Sequence, residues 1–250
     1  MKVVILAGGL GTRLSELTHL IPKPMVNIGS KPILCHIIEI YKKFDHKEFY
    51  IAMGYKYNII IDYFSKISKS KIDKNIILRD GSKITFKYGG LTINLINTGK
   101  NTKTGTRIKK LKKYIKDENF LITYGDGLID VNINKVIQFH KKNNKILTLT
   151  AVRPPARFGE LVLSGANVKK FDEKPQLQRG WINGGFFVAN KKFFDFIESN
   201  EMLEREPINR ILNLKELNAF KHEGFWYCMD NIRDKEVLER LLKNKNTPWM

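Results

Sequence analysis

The stretch MKVVILAGGLGTRLSELTHLIPKPM, Met1–Met25, holds the residue types best placed to do chemistry. Gly8, Gly9 and Gly11 follow directly on the apolar run Val3–Ala7. Glycines at a strand end let backbone N–H groups approach a ligand closely and point at an anion. In open α/β sheets, ligands gather at that end of the strands. Arg13 lies inside the loop, and a guanidinium forks onto phosphate oxygens. Lys23 stands between Pro22 and Pro24, whose rings stiffen the backbone that carries its charge. Two familiar glycine patterns fail. A dinucleotide fingerprint starting at Gly9 needs a glycine where Leu14 stands, and the phosphate-loop lysine is absent because Thr12-Arg13 follows Gly11. The loop reads as a tight structural turn or as an anion cradle of another kind, and Arg13 favours the cradle.

Other positions carry weaker signals. Asp126, in YGDG, has Gly125 and Gly127 beside it. Its carboxylate suits a hard cation, although Asp-Gly is also a common turn. Asp230 precedes an apolar-periodic stretch, a place that suits a helix N-cap. Glu173 and Lys174 read on their own as a solvated pair, and Arg107 as an ordinary residue in the first turn of a helix. Asn183 leads into Gly184 and Gly185 inside a strand, a pattern that marks close backbone approach. His19, His36, His46, His140 and His222 do not recur at metal-ligand spacings, and no Ser-His-Asp or Cys-His arrangement stands out.

LAGGLGTRL followed by PKPM resembles the signature of the sugar-1-phosphate nucleotidylyltransferases. YGDG, FDEKP (Phe171–Pro175) and NGGFFV (Asn183–Val188) are similar to later family segments, so the resemblance spans nearly the whole chain. It implies nucleotide binding by Leu6, Ala7, Gly8, Gly9, Leu10, Gly11, Thr12, Arg13, Lys23, Thr104, Arg107 and Gly125, with Arg13 and Lys23 catalytic. It further implies sugar-phosphate binding by Glu173, Lys174, Asn183 and Gly184, and Mg²⁺ held by Asp126 and Asp230. VRPPARFGEL, INGGFFV and GFWYCMDNIRDKEVLERL most resemble the branch whose partners are CTP and glucose 1-phosphate. Backbone carbonyls around Leu6–Gly9 are then the expected acceptors for the cytosine amine. UTP, dTTP or another phosphorylated acceptor remain alternatives, as does a domain that binds nucleotide sugar without turning it over. The presence of Arg13, Lys23, Asp126, Lys174 and Asp230 speaks against that last reading. The family also implies a homo-oligomer.

These residues need a scaffold that brings strand ends together. KVVILA, EFYIAM, TINLIN, NFLITYGDG and KILTLTAV read as strands, being short, apolar and β-branched. Between them lie helical patterns at KPILCHIIEIYKKF, YNIIIDYFSKI, GTRIKKLKKYI and NINKVIQFHKKN. The alternation predicts an α/β fold with a mostly parallel central sheet and helices on both faces. With the resemblance, this becomes one Rossmann-like nucleotidyltransferase domain over residues 1–250. Residues 1–152 would serve mainly the nucleotide. Residues 153–250 would form a smaller strand-rich sugar-binding elaboration with short strands at ELVLS, VKKFDEK and GGFFVAN and a helix at NIRDKEVLERLLKN.

Composition limits the remaining classes. At 250 residues, with 42% hydrophobic and 28% charged, the chain has the make-up of a globular domain with a sizeable core. No apolar stretch approaches the ~18 residues of a membrane span, and Val3–Ala7 is too short for a signal core, so no membrane role or export is expected. Cys35 and Cys228 lie far apart without a CxxC context, as suits a reducing, cytoplasmic compartment. The net charge of +19 raises the question of nucleic acid. The lysines are spread along the chain, and no zinc finger, RNA-binding aromatic motif or helix-turn-helix accompanies them, so no nucleic-acid partner is expected.

Overall fold

The computed structural model describes residues 1–70, 79–155, 160–172 and 180–250. In chain order its strands are β1 (Val3–Ala7), β2 (Asn27–Ile28), β3 (Lys31–Pro32), β4 (Glu48–Met53), β5 (Lys83–Tyr88), β6 (Leu91–Asn97), β7 (Asn119–Tyr124), β8 (Gly127–Ile129), β9 (Leu147–Val152), β10 (Glu160–Ser164), β11 (Asn167–Asp172), β12 (Ile182–Asn190), β13 (Leu217–His222) and β14 (Trp226–Cys228). The α-helices are α1 (Ser15–Thr18), α2 (Ile33–Lys42), α3 (Tyr57–Ile67), α4 (Thr104–Lys110), α5 (Ile133–Asn143), α6 (Glu206–Asn213) and α7 (Ile232–Lys243).

Eight strands form one sheet in the order β13-β9-β12-β7-β1-β4-β6-β5. The β7-β1-β4-β6 block is parallel throughout, and β13 runs parallel to β9. β12 enters between β7 and β9 antiparallel to both, and β5 closes the far edge antiparallel to β6. The sheet is α/β as the alternating pattern predicts, with an antiparallel strand in its interior that the pattern did not show.

Both faces of the sheet are covered, which explains the unbroken apolar run of β1. Val3, Ile5 and Ala7 pack into one core with α2, α3, α5 and α7, while Val4 and Leu6 pack into the other with α4 and α6. A strand buried on both sides loses the usual apolar-polar alternation. Each buried Val, Ile or Leu side chain contributes roughly 1.5–3 kcal/mol of burial free energy, so a polar replacement of Ile5 would break the centre of the sheet.

Two edge strands escape sequence reading. β5 buries only Phe86, and β13 is half-exposed along its length, so neither carries the continuous apolar run of β1. α4 ends at Lys110 rather than continuing through Ile115, and the chain turns through Leu111–Tyr114. The segment VKKFDEK forms β11 as far as Asp172; its last two residues lie outside the described residues.

Candidate active site

The carboxyl ends of β1 and β7 open onto a cleft of about 840 Å³. Its walls include Leu6, Gly8, Gly9, Leu10, Gly11, Thr12, Arg13, Lys23, Thr104, Arg107, Gly125, Asp126, Asn183, Gly184 and Asp230. Among the described residues, only Ala7 of the expected nucleotide-binding set is absent from the wall; its side chain is buried in the core. Glu173 and Lys174 lie outside the described residues. Tyr124, Glu204, Trp226 and Cys228 also line the cleft, and the sequence assigns none of them a role there. Tyr124 had a signal, since it directly precedes the Gly125-Asp126 pair, but Glu204 had none.

Asp126 and Asp230, remote in sequence, are brought together by a small ladder. β14 pairs antiparallel with β8, setting Cys228 opposite Gly127, and the Met229 N–H donates to the Asp126 carbonyl at 2.9 Å. Asp230 is then fixed from the next helix. The Asp234 carboxylate accepts the backbone N–H groups of Asp230 and Asn231 at 2.8 and 3.0 Å. Asn231, not Asp230, is the N-cap of α7, and its side chain accepts the Asp234 N–H in a reciprocal capping box. Asp230 is thereby left free to face the cleft.

The two positive charges of the opening stretch meet these two carboxylates. Lys23 Nζ donates to Asp126 Oδ2 and to Asp230 Oδ1, each at 2.7 Å. Arg13 Nη1 donates to Asp230 Oδ2 at 2.6 Å. Lys23 is only 8% exposed, while the Arg13 side chain remains 74% exposed. Burial is the largest single influence on Lys23 and works against its charge, but the Asp126 charge and the hydrogen bonds to both aspartates together overcome it; the ammonium is held above the usual lysine range. Burial likewise opposes the Asp230 charge and is overcome by Lys23 and Arg13, which hold its carboxyl below the usual carboxylate range. For Cys228, burial and then the Asp126 charge push the thiol up, so it stays protonated at neutral pH.

Arg107 lines the cleft and is at the same time bonded to the protein's own backbone. It is 2% exposed, and Nη2 donates to the Gly8 carbonyl at 2.7 Å. Nη1 donates to the Gly99 carbonyl and Thr98 Oγ1, both at 2.7 Å, and to the Met53 carbonyl at 3.1 Å. The guanidinium thus ties the end of β1 to the ends of β4 and β6. Burial lowers its pKa to about 10, so it remains a cation. A Cβ at Gly8 would fall 2.2 Å from Arg107 Nη1, so the glycine here makes room for the clamp. The Gly8 carbonyl also accepts the Tyr55 N–H at 3.2 Å. With both lone pairs engaged, it is not free to read a base.

β12 is shaped by the same cleft wall. Gly185 sits at φ +80°, and a Cβ there would fall 2.4 Å from the Tyr124 ring. The Gly185 N–H donates to Asn183 Oδ1 at 2.9 Å, and Trp226 Nε1 donates to the Gly184 carbonyl at 2.8 Å. Asn183 is therefore partly committed to shaping its own strand.

Asp126, Cys228 and Asp230 offer ligand atoms that all lie within 4.8 Å of one another. The ammonium between the two carboxylates shows that the pair accepts a cation. The carboxylate oxygens of Asp126 and Asp230 suit a hard divalent ion, while the protonated Cys228 thiol does not add to such a site. Fixed cations, a glycine loop and a paired carboxylate site are parts suited to aligning polyanions and neutralising charge at phosphorus.

A model of nucleotidyl transferases matches residues 2–227. The chain belongs to this nucleotidyl transferase family. Among its relatives is the glucose-1-phosphate cytidylyltransferase of Salmonella typhi, 44% identical over the whole of this chain and 98% of the relative. Among solved structures, this nucleotidyltransferase resembles HddC from Yersinia pseudotuberculosis complexed with GMP-PN, at 25% identity and TM-score 0.70, covering 96% of this chain and 99% of that one. The inositol-1-phosphate CTP transferase of T. maritima shares the fold, with TM-score 0.68 at 15% identity, covering 98% and 96% of the two chains.

Proposed function

We propose that this nucleotidyltransferase transfers a cytidylyl group from CTP to α-D-glucose 1-phosphate, giving CDP-glucose and pyrophosphate. The observation that carries the choice of substrates is the 44% identity to a glucose-1-phosphate cytidylyltransferase along the full chain. The Lys23, Arg13, Asp126 and Asp230 cluster supports the chemistry.

A phosphate oxygen of the sugar phosphate attacks the α-phosphorus of CTP. The bond from that phosphorus to the oxygen bridging toward the β-phosphate breaks, and pyrophosphate departs with the electron pair. At ~4 Å and an effective dielectric near 20, each pair of unit charges repels by about 4 kcal/mol, so cations must sit between the polyanions. Lys23 and Arg13 are placed to shift from the carboxylates to the phosphate oxygens and hold the reacting groups in line. Asp126 and Asp230 would hold Mg²⁺, which supplies Lewis-acid charge neutralisation at the phosphates. Arg107 keeps the Gly8 loop in position beneath the nucleotide. In this reading residues 1–152 mainly bind nucleotide and residues 153–250 mainly sugar phosphate. Among the described residues, no helix is long and apolar enough to cross a membrane.

The test is pyrophosphate release over a matrix of CTP, UTP and dTTP against several sugar 1-phosphates. CTP with glucose 1-phosphate should give the highest kcat/KM. An equal or better value with UTP or dTTP would overturn the base assignment and leave the transfer chemistry standing.

A further inference from the structure

Glu204 is the acidic member of the cleft that neither the sequence motifs nor the cation cluster accounts for. Its carboxylate accepts the Tyr124 hydroxyl on Oε1 at 2.6 Å and the Thr104 hydroxyl on Oε2 at 2.8 Å. Among the described residues, no lysine or arginine pairs with it, unlike Asp126 and Asp230. The side chain is exposed and lines the cleft.

The segment that carries Glu204 is held in place by a dense set of contacts. Glu201 receives Arg210 through Nη1 and Nη2 at 2.7 and 2.6 Å. The Glu201 N–H donates to Thr106 Oγ1, the Leu203 N–H donates to Thr104 Oγ1, both at 2.9 Å, and the Gly105 N–H donates to the Glu201 carbonyl at 3.0 Å. A Cβ at Gly105 would lie 2.9 Å from that carbonyl, so the glycine permits the segment to seat against α4. Leu203 is fully buried and anchors the segment in the core between exposed Met202 and Glu204. A side chain held this firmly at a cleft wall is preorganised, which lowers the entropy cost of recognition.

A carboxylate offers about four lone-pair sites, and the two hydroxyls use two of them. Its charge repels phosphate, so the parts of the substrates it can favour are uncharged donors. We propose that Glu204 is a specificity-determining residue that accepts a hydrogen bond from a substrate hydroxyl, with Tyr124 and Thr104 fixing its orientation. The hydroxyl belongs to the ribose of the nucleotide or to the hexose of the sugar phosphate. This inference rests on the nucleotidyl-transfer reading.

The test uses Glu204→Ala and Glu204→Gln in the full-length protein, with the substrate pair that the wild-type protein turns over fastest. A wrong base or sugar is therefore detected in the wild-type matrix before Glu204 is examined. Each substrate is varied in turn, and 2′-deoxy and 3′-deoxy nucleotides and deoxyhexose 1-phosphates serve as probes. A site built to bond a hydroxyl discriminates strongly against an analogue that lacks it. The expected result is a fall of ~10-fold or more in kcat/KM for one substrate only. The wild-type preference over one deoxy analogue of that substrate should collapse toward unity in Glu204→Ala. Loss confined to the nucleotide with a ribose analogue, or to the sugar phosphate with a hexose analogue, identifies the source. Wild-type kinetics in Glu204→Ala, equal losses for both substrates, or undiminished discrimination against every deoxy analogue would overturn the proposal. So would an effect seen only as a changed ratio of CTP to UTP, which would point to the base. Unchanged melting temperatures for both variants exclude a folding effect.

Discussion

Replacing Lys23 with alanine should tighten divalent-cation binding to the nucleotide-free protein while lowering turnover. The reason is geometric. The Lys23 ammonium lies 2.7 Å from an oxygen of each carboxylate that would hold the metal, so a cation entering alone must first displace it. Hydrogen bonds to charged groups are worth roughly 1.5–3 kcal/mol each. Two of them at the lower bound amount to about 3 kcal/mol, or ~10²-fold in metal affinity. Solvent replaces part of this when the ammonium leaves, so ~10-fold is a safe expectation. The assay is titration of the apo protein with Mn²⁺, with free Mn²⁺ followed by electron paramagnetic resonance. Turnover should fall by ~10²-fold or more in the same variant, since a preorganised cation at developing charge is lost. Tighter Mn²⁺ binding with poorer turnover separates the two duties of one side chain. Equal or weaker Mn²⁺ affinity in a folded Lys23→Ala protein would refute the reasoning. A companion Asp230→Asn variant should lose Mn²⁺ binding outright.

Arg107→Ala should destabilise the fold by roughly 1–3 kcal/mol, because it removes the guanidinium that donates to the Gly99 carbonyl and takes one of the donors from the Gly8 and Met53 carbonyls, which keep the Tyr55 and Thr98 N–H groups; a thermal melt unchanged from the parent would contradict this. Exhaustive chelation should abolish pyrophosphate release, and added Mg²⁺ or Mn²⁺ should restore it; full activity without any divalent ion would rule out a metal at Asp126 and Asp230. Burial holds the His140 ring below the ordinary histidine value of 6.5, and the ring meets Thr148 Oγ1 and Asn119 Oδ1 in its neutral state. The unfolded chain therefore takes up that proton first, and stability should fall as pH drops below about 6.5. His140→Gln should flatten part of that decline in melts between pH 7 and pH 5.

The elements that carry chemistry were legible because their local sequence fixes them. The run before Gly8 is apolar on both faces and can only be a central strand, so the glycine loop falls at a strand end by necessity. Asp126 was legible for the same reason, following β7 directly. What the sequence could not carry was partnership across the fold. Arg107 reads from its local sequence as a helical arginine, to which the family resemblance adds a nucleotide-binding role, and neither reveals that the Gly8, Met53 and Gly99 carbonyls converge on it. β12 reads as a strand but gives no sign that it runs antiparallel between β7 and β9. Glu204 lies in a segment without motif or periodicity, and only the folded α4 terminus turns it toward the cleft.

The opening stretch places two cations within reach of the cleft, and the later strands place two carboxylates there. Left alone, opposite charges at 2.6–2.7 Å satisfy each other, and a phosphate must compete with the carboxylates for Lys23 and Arg13. A triphosphate arriving with its own metal ion changes both partners at once. Asp126 and Asp230 would hold that metal, which would free Lys23 and Arg13 to turn toward the phosphate oxygens. Neither half of the exchange is favourable without the other, since a metal alone competes with Lys23 and a bare triphosphate meets two carboxylates. The arrangement therefore favours the metal–nucleotide complex over either component. Mn²⁺ and CTP should accordingly bind with positive coupling, measurable as a lower Kd for CTP with Mn²⁺ present than absent. In Lys23→Ala that coupling should shrink, because the competitor that penalises metal without nucleotide is gone. Coupling of equal size in the variant and the parent would mean that Lys23 does not mediate the exchange.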